Sequence, residues 1–362
     1  MKQTRLFTLI VLLLTCALPT MAQKLKVQDA EGNPVGYAQI INHEGIVLGM
    51  TNLEGDADLT STQHLIHNEP ITITHVGFAH TNIQVTAGAT DVKTVTLEDS
   101  NYSMNEVTVT PKDFIYVQTY YRVLFMTDDT VSYYRSGLID NIYNVKKKTM
   151  KTESRHFSKA EFGLLKVLVN KLLGKTLEKH GSLPVRSEKA RLVVTPEEKG
   201  RSSISYNGVT IGSRIKDFTN HQARTDIDME VLTKKILEEK DKKKALQRMA
   251  ARWNVNNNLT TIYHMDDEGK TAIEDFMMSQ WHDSFDRYSK IDKKDEHVII
   301  WLESYNVDRA YLTKQELKER KKKNRREMNI TSMRQFEKER GVPAWAPQIE
   351  RCLDVLFKKS KD

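Results

Sequence analysis

The chain has 362 residues, of which 39% are hydrophobic and 28% charged, and its formal net charge is +7. Such a composition is globular and excludes a disordered polypeptide. The length suffices for two ordinary domains, each able to bury a core.

The chain opens with "MKQTRLFTLIVLLLTCALPTMAQ", in which Lys2 and Arg5 precede an apolar run from Leu6 to Leu18, then Pro19, Thr20 and Ala22. That order predicts a secretory signal peptide over residues 1–22, cleaved after Ala22. The apolar run falls short of the ~20 residues a bilayer-spanning helix needs. Cys16 follows "LLT", a poor fit to lipoprotein processing, so it is read as part of the discarded leader. Only Cys352 then remains, which leaves no internal disulfide for an exported protein. In "APQIERCLDVLF" it falls at helical spacing with Ile349, Leu353 and Leu356, as a core residue rather than a nucleophile. No later apolar segment is long enough to cross a membrane, so the expected location is the periplasm or the outer-membrane surface.

Charge divides the rest of the chain. From Gln23 to Pro111 there are three Lys and Arg against eleven Asp and Glu; from Lys112 to Asp362 there are fifty against thirty-seven. The expected domains are therefore an acidic unit over residues 23–111 and a basic one over 112–362, meeting near "TVTPKDF". In the acidic unit, "KLKVQD", "YAQII", "IVLGMT", "ADLTS", "PITITHVGF", "TNIQVT" and "VKTVTLE" read as seven short strands. The intervening "AEGNP", "NHEG" and "NLEGD" supply turn residues, and the pattern predicts an all-β sandwich of Ig-like type without helices. His75 lies in the fifth segment; by alternation it joins Ile71 and Ile73 in facing the core, hydrogen-bonded to a neighbour and not bound to a metal. His64 and His67 are read as loop residues.

The spaced motifs "NPVGYAQI", "GMTNLEGDADL", "ITITHVGF", "VTLED" and "SMNEVTVTP" resemble the carboxypeptidase-regulatory-like domain, a transthyretin-like sandwich of Bacteroidetes-type cell envelopes. The resemblance rests on Pro34, Val35, Tyr37, Ala38, Thr51, Asn52, Gly55, Gly77 and Phe78. It implies an accessory module without zinc. A zinc carboxypeptidase would need a His-x-x-Glu pair, and no histidine here has Glu three residues later.

In the basic unit, "FIYVQTYYRVLF", "TVSYYRSG", "LIDNIYNV", "KTMKTESRHF", "ARLVVTP" and "HVIIWLES" have strand character. "SISYNGVTIG" predicts a hairpin turning at Asn207 and Gly208. Three Ser/Thr-x-x-Glu patterns, Ser158 with Glu161, Thr271 with Glu274 and Thr313 with Glu316, predict helix starts. The first would open an amphipathic helix through Leu165, Leu168, Leu172 and Leu173 to Gly181. "MEVLTKKILEEKDKKKALQRMAARW" predicts a second helix and Pro347 opens a last one to about Phe357, so the class is α+β with strands ahead of most helices. "YYR" at Tyr120–Arg122 and "YYRSGLIDNIYN" resemble the uncharacterised region that often follows this sandwich in related envelope proteins. The helical runs and charge do not resemble a membrane barrel.

Chemical motifs are sparse. Ser213 and Lys216 form Ser-x-x-Lys without the companion motifs of acyl-enzymes. "MDDEG" at Asp266–Glu268 lacks calcium-loop spacing and reads as a turn. No phosphate-binding glycine loop, cofactor motif or metal motif is present, and no catalytic residue is assigned. "KERKKKNRRE", Lys318–Glu327, is the strongest basic run; export removes nucleic acid as its partner and leaves anionic lipid or an acidic protein. The sequence favours an envelope binding protein, with a hydrolase assembled in the basic unit as the alternative.

Overall fold

A computed structural model describes residues 24–67, 69–85, 92–103, 112–161, 192–197, 200–290, 292–322 and 326–359. Residues 1–23, where the leader is expected and which include Cys16, and the run of leucines from 165 to 173 lie outside them. The described chain is mostly β, organised in three sheets.

Residues 24–97 build the two small sheets. One holds β4 (Asp56–Asp58), β1 (Lys24–Gln28) and β7 (Val92–Thr96); the other holds β3 (Val47–Met50), β2 (Gln39–Ile41), β5 (Ile71–Thr74) and β6 (Thr81–Ile83). Leu25, Val27, Ala57 and Val95 of the first sheet meet Ile40, Leu48, Ile71 and Ile73 of the second in one buried core. Each strand contributes alternate residues, as a pleated strand with one buried face must. A short 3-10 helix, Thr60–Leu65, interrupts the strands where none was expected, and carries His64.

The turn chemistry explains the motif residues. Thr51 Oγ1 donates to Val35 O at 2.7 Å and accepts from the Ala38 N–H at 2.8 Å, tying two loops together. Asn52 Oδ1 accepts from the N–H groups of Glu54 and Asp56, an Asx turn that ends at Gly55. Gly55 has φ +77°, and a methyl group there would overlap Val27 O.

The third sheet has eleven strands in the order β11-β12-β13-β14-β15-β16-β17-β8-β9-β10-β18. β8 (Phe114–Thr127), β9 (Thr130–Asn144) and β10 (Thr149–Glu161) form one antiparallel meander. β11 (Leu192–Pro196), β12 (Arg201–Tyr206), β13 (Val209–Asp217), β14 (Gln222–Asp228), β15 (Arg252–His264), β16 (Phe276–Ser289) and β17 (Lys294–Leu312) form a second, whose last strand pairs with β8. Only β18 (Arg326–Glu327) joins in parallel. With 19 residues, β17 is roughly 60 Å long. "TVSYYRSG" and "LIDNIYNV" thus belong to a single strand, and Asn207 (φ 49°) with Gly208 (φ 77°) turns the β12–β13 hairpin as expected.

Five helices are described: α1 (Met229–Glu239), α2 (Lys243–Ala250), α3 (Lys314–Lys321), α4 (Ile330–Glu339) and α5 (Pro347–Lys359). The predicted capping box at Thr313 and Glu316 starts α3. The other two patterns do not start helices. Ser158 and Glu161 lie within β10, where the Ser158 hydroxyl meets that of Ser136 at 2.7 Å. Thr271 and Glu274 lie in the β15–β16 connection, and the Glu274 carboxylate accepts from Tyr311 Oη at 2.8 Å. The long helix expected from Met229 divides at Lys240–Lys242, where Asp241 takes φ 47°. Among the described residues α1 and α2 fall between β14 and β15, whereas α3, α4 and α5 follow β17, so the long strands precede most of the helices as expected.

Both faces of the long sheet are buried at its centre. On one face Val123, Phe125, Trp281, Phe285, Ile300 and Leu302 cluster together. The opposite face receives α4, α5 and the two-sheet unit: Leu124, Met126 and Trp301 pack with Ile349, Leu353 and Leu356 of α5 and with Ile41 of β2.

Candidate functional site

Pairing register builds the site from residues scattered along the chain. One row of directly opposed positions runs Ser203, Ser213, Asp226, Thr260, Gln280, Glu303, Arg122, Ser136 and Ser158 across β12 to β10, and every member is polar. From Ser213 to Ser158 all are buried. Burying polar groups without hydrogen bonds costs free energy, so their partners determine what the row does.

Part of the row is satisfied within itself. Thr260 Oγ1 donates to Asp226 at 2.6 Å. Arg122 donates to Glu303 from Nε at 2.9 Å and Nη2 at 2.6 Å, and its guanidinium lies 4.1 Å from the Trp345 ring centre. Burial by itself would lower the Arg122 pKa; the facing Glu303, with Tyr305 and Glu337, holds it well above the ordinary value. This end is a fixed ionic cluster under α4 and the loop before α5.

The middle differs. Gln280 Nε2 and Oε1 make no hydrogen bond among the described residues, nor do both ring nitrogens of His282, Asn258 Oδ1 and Trp301 Nε1. Asn258, His282 and Trp301 form the next row on the same face, directly beside Thr260, Gln280 and Glu303. The two-sheet unit covers them. Asn258 Nδ2 contacts Met50 Sδ at 3.4 Å, and Met50 is the register partner of Gln39, which is fully buried with neither amide atom hydrogen-bonded among the described residues. Burial lowers the His282 pKa to about 3, with His297 adding to the effect, so at neutral pH its ring offers one donor and one acceptor.

Arg224 anchors the other side of the seam. Its Nη2 donates to Pro34 O, its Nε lies 3.3 Å from Asp226, and its guanidinium sits 5.3 Å from the Phe78 ring centre. Gly77 lets the loop approach β15 closely, since a methyl group there would meet the Ile262 Cδ1 atom and that side chain would have to shift. Beside Arg224 a cleft of about 20 Å³ opens between Asp29, Phe78, Asp99 and Asp217, which is room for about one water. Burial, then Asp217, raises the Asp99 pKa.

His75 follows the end of β5 and is buried, its ring 5.2 Å from that of Phe78, which packs in the same core as Ile71 and Ile73. Its Nδ1 accepts from the Gly77 N–H at 3.2 Å, its Nε2 makes no hydrogen bond among the described residues, and burial followed by the Arg224 charge lowers its pKa well below normal. Other contacts close the seam: Gln348 Nε2 donates to Thr72 Oγ1 at 2.6 Å, Arg351 to His43 O at 2.7 Å, and Tyr102 Oη to Asn306 O.

Neither a scan against protein-family models nor a search of curated proteins finds a match for this chain.

The remaining sequence candidates do not gather around the seam. Ser213 and Lys216, three apart on β13, point to opposite faces. Asp266 makes a turn, accepting from the N–H groups of Glu268 and Lys270. His67 stacks edge-on to His43 at 6.1 Å, and no three His, Cys, Asp or Glu side chains among the described residues form a metal-binding group. Cys352 is half-buried at the edge of its expected core, with Sγ 3.5 Å from Glu44 O. Within the Lys318–Glu327 run, Arg320 pairs with Asp308 and Lys321 with Glu153, while Lys318 is exposed; the side chains of 323–327 lie outside the described residues. No helix among the described residues is long and apolar enough to cross a membrane.

Proposed function

We propose that this is an exported cell-envelope protein that binds rather than catalyses, and that its binding layer lies between a carboxypeptidase-regulatory-like sandwich and the long sheet. The signal-like leader and the spaced motifs support export and the sandwich assignment. The observation that carries the binding reading is the set of buried amide and imidazole groups of Gln39, Gln280, His282 and Asn258. They come from both units and carry no net charge at neutral pH, a mixture of donors and acceptors suited to an uncharged hydrogen-bonding ligand. The sandwich then acts as a docked cover, held by Arg224 at one side and by α5 at the other.

Native mass spectrometry of the protein isolated from its own envelope tests this. A non-covalent small-molecule adduct is expected, and it should be lost in Gln39→Leu and Gln280→Leu variants that keep the wild-type circular dichroism. Absence of any adduct, or one that persists in both variants, would contradict the reading.

A further inference from the structure

A second surface lies outside the seam, at the end of the sheet where α2 leads into β15. The segment Lys240–Trp253 carries Lys240, Lys242, Lys243, Lys244, Arg248 and Arg252 against a single carboxylate, Asp241. Arg252 is committed to Asp283, whereas the other five basic residues are exposed. Among the described residues the Asp241 carboxylate has one ion-pair partner, Lys243, at 4.0 Å. α2 buries no residue completely, and Ala245, Leu246 and Met249 are each only half-covered. A helix of eight residues with so little packing is marginal by itself in water.

Two exposed aromatic residues flank it. Trp253, three residues beyond the end of α2, is 40% exposed, and Tyr288 is 55% exposed. Trp253 pairs with Asp286 across β15 and β16, so Tyr288, two residues on, shares its face of the pleat at a diagonal position. Lys290 and Lys293, in the adjoining β16–β17 turn, are exposed as well. Clustered lysines, a weakly packed amphipathic turn and amphipathic aromatic rings are the combination that settles at a lipid–water boundary, where rings lie at headgroup depth and ammonium groups reach anionic phosphates.

We propose that this end of the sheet docks on the surface of an anionic phospholipid bilayer, with Trp253 and Tyr288 at the headgroup level and Lys242, Lys243, Lys244 and Arg248 on the phosphates. Charge complementarity chooses this occupant: the Lys240–Trp253 segment is basic, and the apolar component beside it is small and aromatic. It is a separate surface from the seam and from Lys318–Glu327.

Vesicle co-sedimentation tests the assignment, with phosphatidylcholine vesicles and with vesicles containing one-quarter phosphatidylglycerol. The purified full chain is compared with variants identical to it over residues 1–23, so any contribution of that segment cancels. Each basic residue near such a surface contributes about fivefold to binding, so Lys242→Gln/Lys243→Gln/Lys244→Gln should bind anionic vesicles on the order of 100-fold more weakly. Trp253→Ala/Tyr288→Ala should weaken binding at high salt as well as low, because it removes burial and not charge. Circular dichroism and thermal melting establish that both variants fold. Undiminished binding by the triple variant, or an equal loss on neutralising Lys318 and Lys322 instead, would overturn the proposal.

Discussion

Replacing Arg122 by methionine tests the ionic end of the polar row. Arg122 is 1% exposed and Glu303 4%, and the Glu303 Oε2 atom accepts from Arg122 Nε, Arg122 Nη2 and Tyr305 Oη at 2.9, 2.6 and 2.9 Å. In Arg122→Met the carboxylate keeps only the tyrosine, and Glu337 loses its 3.4 Å partner. A buried pair broken from one side costs about 3–5 kcal/mol, because the surviving charge has no water to return to. Methionine fills most of the space beside Trp345, so the cost arises from the charge and not from a cavity. At about 2 °C per kcal/mol for a chain of this size, the melting temperature should fall by roughly 6–10 °C. The decisive comparison is Arg122→Met/Glu303→Met, which removes both charges and should lie within about 1 kcal/mol of the wild type or above it. Calorimetry or urea unfolding at pH 7 measures both. A loss below about 1 kcal/mol in the single variant, or a double variant as unstable as the single one, would refute the reasoning.

His282 gives a pH signature. Its folded pKa, lowered to about 3 by burial, lies below the ordinary 6.5, so the unfolded chain binds the extra proton between these values. Its contribution is present above pH 6.5 and is lost at roughly 1.4 kcal/mol per unit as pH falls towards 3. The stability of the wild type relative to His282→Gln, followed by urea unfolding from pH 7 to pH 4, should therefore decline steadily; a constant difference would show that the ring is not buried and neutral. Two glycines separate overlap from backbone strain. Gly55→Ala, which meets Val27 O at φ +77°, should cost more than about 2 kcal/mol, whereas Gly208→Ala, with nothing within 4 Å at the same φ, should cost about 1 kcal/mol. Equal losses in thermal melts would remove the argument for the Gly55 contact.

What the sequence reveals and conceals follows from burial. The short strands of residues 24–97 have one core face and one outer face, so alternation and Asn-Gly punctuation make them legible; Asn52 and Gly55 advertise their turn. β14, β15 and β16 are concealed because their seam-facing positions are Asp226, Asn258, Thr260, Gln280 and His282, polar where a buried strand face leads one to expect valine or isoleucine. Ser158 and Thr271 carry the Ser/Thr-x-x-Glu spacing, yet each hydroxyl or carboxylate is used by a strand neighbour or a cross-loop partner, so local pattern loses to tertiary pairing. Arg224 could not be singled out, since its role depends on Pro34 and Phe78, more than a hundred residues earlier. The one available signal was negative: Arg224, Asp226, Asn258, Gln280 and His282 fall in segments otherwise rich in strand-forming residues.

The buried polar layer exists only if the two-sheet unit is seated on α5 and the long sheet, and one crosslink tests that seating directly. A Cβ atom placed on Gly45 would lie 3.0 Å from Cys352 Sγ, across the contact between the β2–β3 turn and α5. That separation matches the distance from one cysteine's Cβ to its partner's sulfur in a disulfide, although φ +95° at this position strains any residue but glycine. Gly45→Cys, oxidised and digested without reduction, should yield an intramolecular 45–352 crosslinked peptide as the main product. Two free thiols, or only intermolecular dimers, would contradict the seating and with it the buried polar layer.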